Sequence, residues 1–95
     1  MRVFNQTLRL IWIDWLLSEQ GWIQRKHLTT TFDMSVAQAA IDFVAYATLH
    51  KAAIAYCVRD RRYQGLGGLY PSEARAAISA AVNIINDNAK EKQRA

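Results

Sequence analysis

The side chains with the most specific chemistry stand close together in the first half of the chain. Gln38 carries an amide donor and an acceptor side by side, the pair of groups that matches N6 and N7 of adenine. The methyl groups of Ala37 and Ile41 can contact thymine methyls, and Asp42 can accept a hydrogen bond from N4 of cytosine. Together with Ser35, which opens the segment, these residues are candidates for reading base edges in a DNA major groove.

Two of these candidates have other uses. Ser35 with Gln38 three residues later forms a capping box, in which both side chains bind the first N–H groups of a helix. Capping and base reading can coexist, so both roles stay open for Gln38. Repulsion by DNA phosphates favours an internal partner for Asp42, and Arg9 and Arg25 are the candidates.

A second group of residues has the chemistry for phosphate contacts. Three arginines fall within four positions near the middle of the chain, more than solubility requires, although a solvated charged turn is also common. The formal net charge of +4 favours an anionic partner, nucleic acid before membrane. The candidates for DNA backbone contact are Arg25, Lys26, Thr29, Thr30, Arg59, Arg61 and Arg62.

Catalytic and metal-binding chemistry has little support. His27 and His50 are far apart, and neither stands at metal-ligand spacing from Cys57. Asp14 lies within an apolar segment, which favours a buried structural pairing over a catalytic role. We therefore predict no enzyme activity, no metal site and no cofactor.

Length and cysteine usage bound the class of protein. A chain of 95 residues, 52% of them hydrophobic, is predicted to fold as one domain. The single cysteine, Cys57, indicates a reducing compartment, and without a recognisable secretory signal we expect a cytoplasmic protein. The most apolar stretch, residues 10–17, is far shorter than the roughly 20 residues that a membrane helix needs.

The order of predicted elements defines the fold. Helical spacing and capping residues predict four helices, over residues 5–20, over 24–31, from Ser35 and from Ser72. Asn5 or Thr7 can cap the start of the first helix, and Gly21 follows its end. Strand-like segments at 53–58 and 62–64 flank a turn at 59–61. This order is that of a winged helix-turn-helix, a mainly α fold with a small β-hairpin (α+β), in which the third helix is the recognition helix.

Apolar residues beyond the core requirement suggest an assembly. The first helix has a second apolar stripe, and the fourth has a narrow seam whose steps alternate between four and three residues. We therefore expect a winged helix-turn-helix over residues 1–71, a dimerisation helix over 72–88 and a polar tail over 89–95. The predicted dimer interface consists of Leu10, Ile13, Leu17, Ala74, Ile78, Ala81 and Ile85.

The segment Phe32–Phe43, FDMSVAQAAIDF, resembles the recognition-helix segment of a known family. That family is the N-terminal winged helix-turn-helix of WYL-domain bacterial transcriptional regulators, which include repressors of phage-defence islands. Ile54-Ala55-Tyr56 and Arg62-Tyr63 resemble the opening and closing of the family's wing, and Pro71 its following proline. The resemblance covers residues 8–71 and implies DNA binding by Gln38 and the wing.

The sequence also departs from the family pattern. Asp33 replaces the glycine of the turn, which requires an aspartate at positive φ. Ala40 replaces a small hydroxyl residue, and Cys57 replaces an aspartate that often follows the wing tyrosine. The length leaves no room for the WYL ligand-sensing domain, so no small-molecule effector is implied.

The sequence thus predicts a homodimeric, sequence-specific regulator that binds double-stranded DNA, a repressor acting at a pseudo-palindromic operator. The alternative is a protein-interaction winged helix of phage or plasmid origin that binds a host protein. Weak binding to every duplex, together with a stable protein complex, would favour the alternative.

Overall fold

Four α-helices and a three-stranded antiparallel sheet make up residues 4–50 and 54–94, the part of the chain that the computed structural model describes. The helices are α1 (Gln6–Gln20), α2 (Arg25–Phe32), α3 (Val36–Leu49) and α4 (Ser72–Arg94). The strands are β1 (Trp22–Ile23), β2 (Ile54–Cys57) and β3 (Arg62–Gly65). The predicted winged helix-turn-helix class is confirmed. No helix in this part of the chain is long and apolar enough to cross a membrane.

The predicted helix boundaries rest on capping residues that the structure confirms. The Asn5 side chain accepts a hydrogen bond of 3.0 Å from the N–H of Leu8, and Gly21 ends α1 in the left-handed conformation at φ 80°. Asp33 ends α2 at φ 51°. This is the positive φ expected for an aspartate that replaces the glycine of the turn. The Ser35 side chain caps α3.

Two predicted boundaries need correction. α4 continues to Arg94, beyond the predicted end at residue 88 and into the predicted polar tail. The two-residue strand β1 lies between α1 and α2 and was not predicted, because so short a segment has no measurable period. β1 pairs with β3 in the order β1-β3-β2. Residues 1–3 and 51–53 of the predicted domain, residue 95 of the predicted tail and the side chains of that tail lie outside the described residues.

The core forms around α1, which packs against both α3 and α4. This packing corrects most of the predicted dimer interface, because its apolar residues are used within the chain. Ala74, Ala81 and Ile85 are half-buried along α4. The fully buried members of the predicted interface are Leu10, Ile13, Leu17 and Ile78.

Asp14 fastens three elements to one another from the middle of α1. Its fully buried carboxylate accepts a hydrogen bond of 2.5 Å from the hydroxyl of Tyr46 on α3. It also accepts hydrogen bonds from the backbone N–H groups of Leu69 and Tyr70, at 2.8 and 3.0 Å, just before α4. Burial raises the pKa of Tyr46, and the hydrogen bond to Asp14 raises it further. The structural role predicted for Asp14 is thereby confirmed.

The segment after the wing approaches α1 so closely that it requires a glycine. Gly67 has φ 75°, and a Cβ built there would lie 2.5 Å from the carbonyl oxygen of Asp14. The carbonyl oxygen of Gly67 is in turn 2.9 Å from Nε2 of His50 at the end of α3. The wing is therefore held at its far end by both α1 and α3.

Candidate nucleic-acid interface

The outward face of α3 is apolar and carries no cation. Between residues 36 and 49 the sequence has no lysine, arginine or histidine. Ile41 is 55% exposed and Val44 is 67% exposed, and Ala37 is exposed on the same face. Methyl groups presented in this way can contact thymine methyls in a major groove.

Only half of the predicted capping box forms at the start of α3. The Ser35 hydroxyl accepts a hydrogen bond of 3.1 Å from the N–H of Gln38, as predicted. The Gln38 side chain does not return to the backbone of Ser35. Its Nε2 instead donates to Oδ1 of Asp42, one turn further along the helix, at 3.1 Å. The amide of Gln38 therefore lies at the edge of the outward face of α3, and the buried Asp42 holds it on the side that faces the core.

Asp42 lies inside the molecule, which corrects its assignment as a base-reading residue. Its carboxylate is fully buried and accepts two hydrogen bonds from Arg9, from Nε at 2.7 Å and from Nη2 at 3.1 Å. Gln6 contributes a third hydrogen bond, at 3.3 Å. Arg9, one of the two predicted partners, is therefore the partner of Asp42, whereas Arg25 is exposed on α2.

The three arginines of the wing have different surroundings. Arg59 at the tip has a side chain 89% exposed, with Nε 3.6 Å from a carboxylate oxygen of Asp60. Arg61 is exposed and ends the turn at φ 52°. Arg62 instead lies on the sheet, with its guanidinium carbon 4.9 Å from the ring centre of Trp22. Arg62 is thus partly occupied in holding the wing together.

A cleft of about 370 Å³ separates the wing from the start of α2. Arg25 and Lys26 line it from the first turn of α2, and Arg61 lines it from the wing. The free N–H groups at the start of a helix add positive potential at this position. Three cations that were predicted separately therefore converge on one site. The cleft is also lined by Gln24, Tyr56 and Tyr63.

The two predicted threonines of α2 differ in their availability. Thr30 is exposed, and Thr29 is half-buried with its hydroxyl 3.3 Å from the carbonyl oxygen of Lys26, to which it donates. Thr30 has the more accessible hydroxyl for a phosphate oxygen.

Sequence reasoning missed the residues that join the wing to α2. The Gln24 side chain donates to the carbonyl oxygen of Arg61 at 3.4 Å, and its backbone N–H donates to Nδ1 of His27 at 2.9 Å. His27 also lies edge-on to Trp22, with ring centres 5.3 Å apart. Burial lowers the pKa of His27 from its ordinary value. The Gln-x-x-His spacing at a helix start was the available signal for the reciprocal cap.

The hairpin register explains the two tyrosines of the cleft. Tyr56 of β2 pairs with Tyr63 of β3, and the centres of their rings are 4.8 Å apart. Tyr63 also stacks on Phe43 of α3, with ring centres 4.2 Å apart. This stack sets the distance between the wing and α3. Among the described residues no group of histidines, cysteines and carboxylates is arranged to hold a metal ion.

Comparisons with known proteins agree with the winged helix-turn-helix fold. A family model described as the BrxR transcriptional regulator winged helix-turn-helix domain matches residues 5–86. The DNA-binding transcriptional repressor CapW of Pseudomonas aeruginosa is 36% identical over 74 residues, which are 75% of this chain and 25% of that relative. The chain thus spans about a quarter of the relative's length.

The family is one of regulatory DNA-binding domains rather than of enzymes, in agreement with the sequence prediction. The predicted resemblance to the winged helix-turn-helix of bacterial transcriptional regulators is confirmed over nearly the whole described fold. The chain belongs to the family of BrxR transcriptional regulator winged helix-turn-helix domains.

Proposed function

We propose that this chain binds double-stranded DNA as a sequence-specific transcriptional regulator, a repressor acting in the cytoplasm. The observation that carries the proposal is the convergence of three cations in one cleft beside an uncharged, exposed face of α3. Phosphates and base edges call for these two different chemistries. The name of the related CapW protein, a DNA-binding transcriptional repressor, supports the same function.

The two surfaces divide the work. Ser35, Ala37, Gln38 and Ile41 approach base edges in the major groove. The wing and the first turn of α2 contact the phosphate backbone, chiefly through the cleft residues Arg25, Lys26 and Arg61.

The functional unit is a homodimer on a pseudo-palindromic operator, because one winged helix buries limited surface on DNA. α1 packs against α4 and buries Ile78 of the predicted seam, so the dimer contact uses a neighbouring, exposed face of the helix. Ala77, Ala80 and Ile84 are exposed there at helical spacing, with Ile84 61% exposed. Sedimentation of the wild type and of Ile84→Lys tests this contact. Equal masses for the two proteins would contradict a dimer contact at Ile84.

A fluorescence-anisotropy titration at several salt concentrations tests DNA binding. It compares a duplex selected from a randomised pool with the pool itself. We expect the selected duplex to bind roughly 10³-fold more tightly, with a log–log salt slope of several units. Gln38→Ala should weaken binding at one or two base positions, whereas Arg61→Ala should weaken all duplexes alike and lower the slope. Equal losses on all sequences for both variants would contradict the division of work.

One observation favours a second candidate function. Val36, Ile41 and Val44 are all more than half exposed on α3, and apolar side chains on one helix face also suit a protein partner. A protein-interaction module would bind every duplex weakly and equally, and would form a stable complex with a host protein in a pull-down.

A further inference from the structure

The contact between Gln38 and Asp42 has a consequence for which base is read. We propose that Asp42 is a positioning residue that fixes the orientation of the Gln38 amide and thereby makes α3 select adenine over guanine. This inference rests on the proposed DNA-binding function and refines it at one base position.

Asp42 can act only as a hydrogen-bond acceptor. A carboxylate that accepts two N–H groups from an arginine is ionised, and an ionised carboxylate can only accept hydrogen bonds. Its neighbour on α3 must therefore present a donor. For Gln38 this means that Nε2 faces Asp42, as the contact of 3.1 Å has it, and that Oε1 faces away.

The Gln38 amide keeps an acceptor and a donor that a base can use. Nε2 carries two hydrogens, of which Asp42 uses one, so Gln38 presents one acceptor and one remaining donor. That pair matches the N6 amine and the N7 acceptor of adenine. The flipped amide would place Oε1 against the carboxylate and present the N–H groups outward, which suits the two acceptors of guanine, O6 and N7.

Asp42 is itself held in place by side chains of α1. Asp42 is held by Arg9 and Gln6 of α1, and Arg9 is held in turn by the carbonyl oxygen of Phe4, at 2.9 Å from Nη1. The pair is buried, so solvent cannot easily replace the Asp42 contact. Gln38 by contrast is only half-buried, and its free edge remains open to a ligand.

The test compares binding to duplexes that differ only at the base pair whose preference Gln38→Ala abolishes. The duplexes carry adenine, guanine, 7-deazaadenine or purine, the last two lacking N7 and the N6 amine respectively. We expect wild type to prefer adenine over guanine by about 10- to 100-fold, and to lose affinity with both analogues. In the double variant Arg9→Met, Asp42→Leu the preference should fall below about 3-fold.

The double variant removes both charges together, because Asp42→Ala alone would leave Arg9 buried without its partner. Its binding to the random pool and its salt slope should equal those of wild type, since phosphate contacts are untouched. A cycle completes the test: in the Gln38→Ala background the double substitution should change the adenine preference no further.

A spectroscopic readout on the wild type covers the case in which the double variant does not fold. At least one Nε2 proton of Gln38 should exchange with solvent more slowly than the side-chain amide protons of the exposed Gln64, and it should show a cross-peak to the Asp42 methylene. Exchange as fast as that of Gln64, together with absence of the cross-peak, would overturn the inference, as would a folded double variant that keeps the adenine preference. Absence of any sequence preference in the wild type would overturn the proposed function as well.

Discussion

The outward face of α3 and the cleft between the wing and α2 differ in charge and in the contacts that hold their side chains. The α3 face has no cation, and its Gln38 side chain contacts a buried ion pair between Arg9 and Asp42. The cleft gathers three exposed cations from two elements, joined by the 3.4 Å contact from Gln24 to the carbonyl oxygen of Arg61. Under the proposed function, phosphate contact and base selection lie on different elements, so we expect each to be altered without the other.

Both regions are nonetheless anchored to α1. Arg9 holds α3 from one end of that helix, and Asp14 holds Tyr46 of α3 from its middle. Asp14 also holds the backbone at Leu69 and Tyr70, where the chain leaves the wing. One carboxylate therefore fixes the position of one region relative to the other.

The largest expected effect follows from removing that carboxylate. Asp14→Ala leaves two backbone N–H groups and the Tyr46 hydroxyl without their acceptor and removes the ion pair with Arg75. We expect the free energy of unfolding to fall by about 3–5 kcal/mol in urea denaturation. The matched control is Glu19→Ala, an exposed acidic residue on the same helix, which should stay within about 0.5 kcal/mol of wild type. A loss as small as the control's would mean that α1 does not couple the two regions.

The contacts of α1 also separate the parts of the fold that can be predicted from the sequence from the parts that cannot. Local signals set the helix boundaries: Asn5, Gly21 and Ser35 act within a few residues of themselves, and the structure agrees with each. Periodicity identified the apolar seam of α4 but could not say what contacts it, and α1 of the same chain packs against α4 and buries Ile78. β1 was too short to have a period at all.

The candidate site divides in the same way. The exposed positions of α3 followed from helical spacing and a capping residue. The buried position of Asp42 depends on Arg9, 33 residues earlier, and no local pattern ranked Arg9 above Arg25. The cleft was predicted only as separate cations, because its shape depends on strand register that brings Tyr56 and Tyr63 together.

The next largest effect separates affinity from selectivity. Replacing Arg25, Lys26 and Arg61 by alanine should lower the log–log salt slope by about 3 and weaken binding to every duplex by roughly 10²-fold. The adenine preference should be unchanged, because the α3 face is intact. Arg59→Ala is the matched control, since Arg59 lies outside the cleft beside Asp60, and it should lower the slope less than any cleft residue does. A changed base preference in the triple variant would show that the cleft also reads sequence.

A smaller effect is expected on the α3 face. Ile41→Ala removes exposed methyl and methylene groups, and we expect about 5-fold weaker binding to the selected duplex, measured by anisotropy. Binding to the random pool should not change, and Thr48→Ala, exposed at the far end of α3, should leave both affinities as they are. If Ile41→Ala weakens both affinities equally, the face does not contact bases.

The smallest effect is a pH dependence confined to the cleft side. His27 accepts a hydrogen bond at Nδ1 from the backbone of Gln24, and burial lowers its pKa below the ordinary value of 6.5. The folded state therefore binds this proton less readily than the unfolded chain does. Its contribution to stability is complete above pH 6.5 and is lost as the pH falls from 6.5 through the lower folded pKa.

Urea denaturation at a series of pH values should show the decline in wild type and in His50→Gln, and a weaker one in His27→Gln. Identical curves for His27→Gln and wild type would mean that protonation leaves the joint between Gln24 and the wing intact. In that case the cleft would be no more sensitive to pH than the α3 face, which carries no histidine.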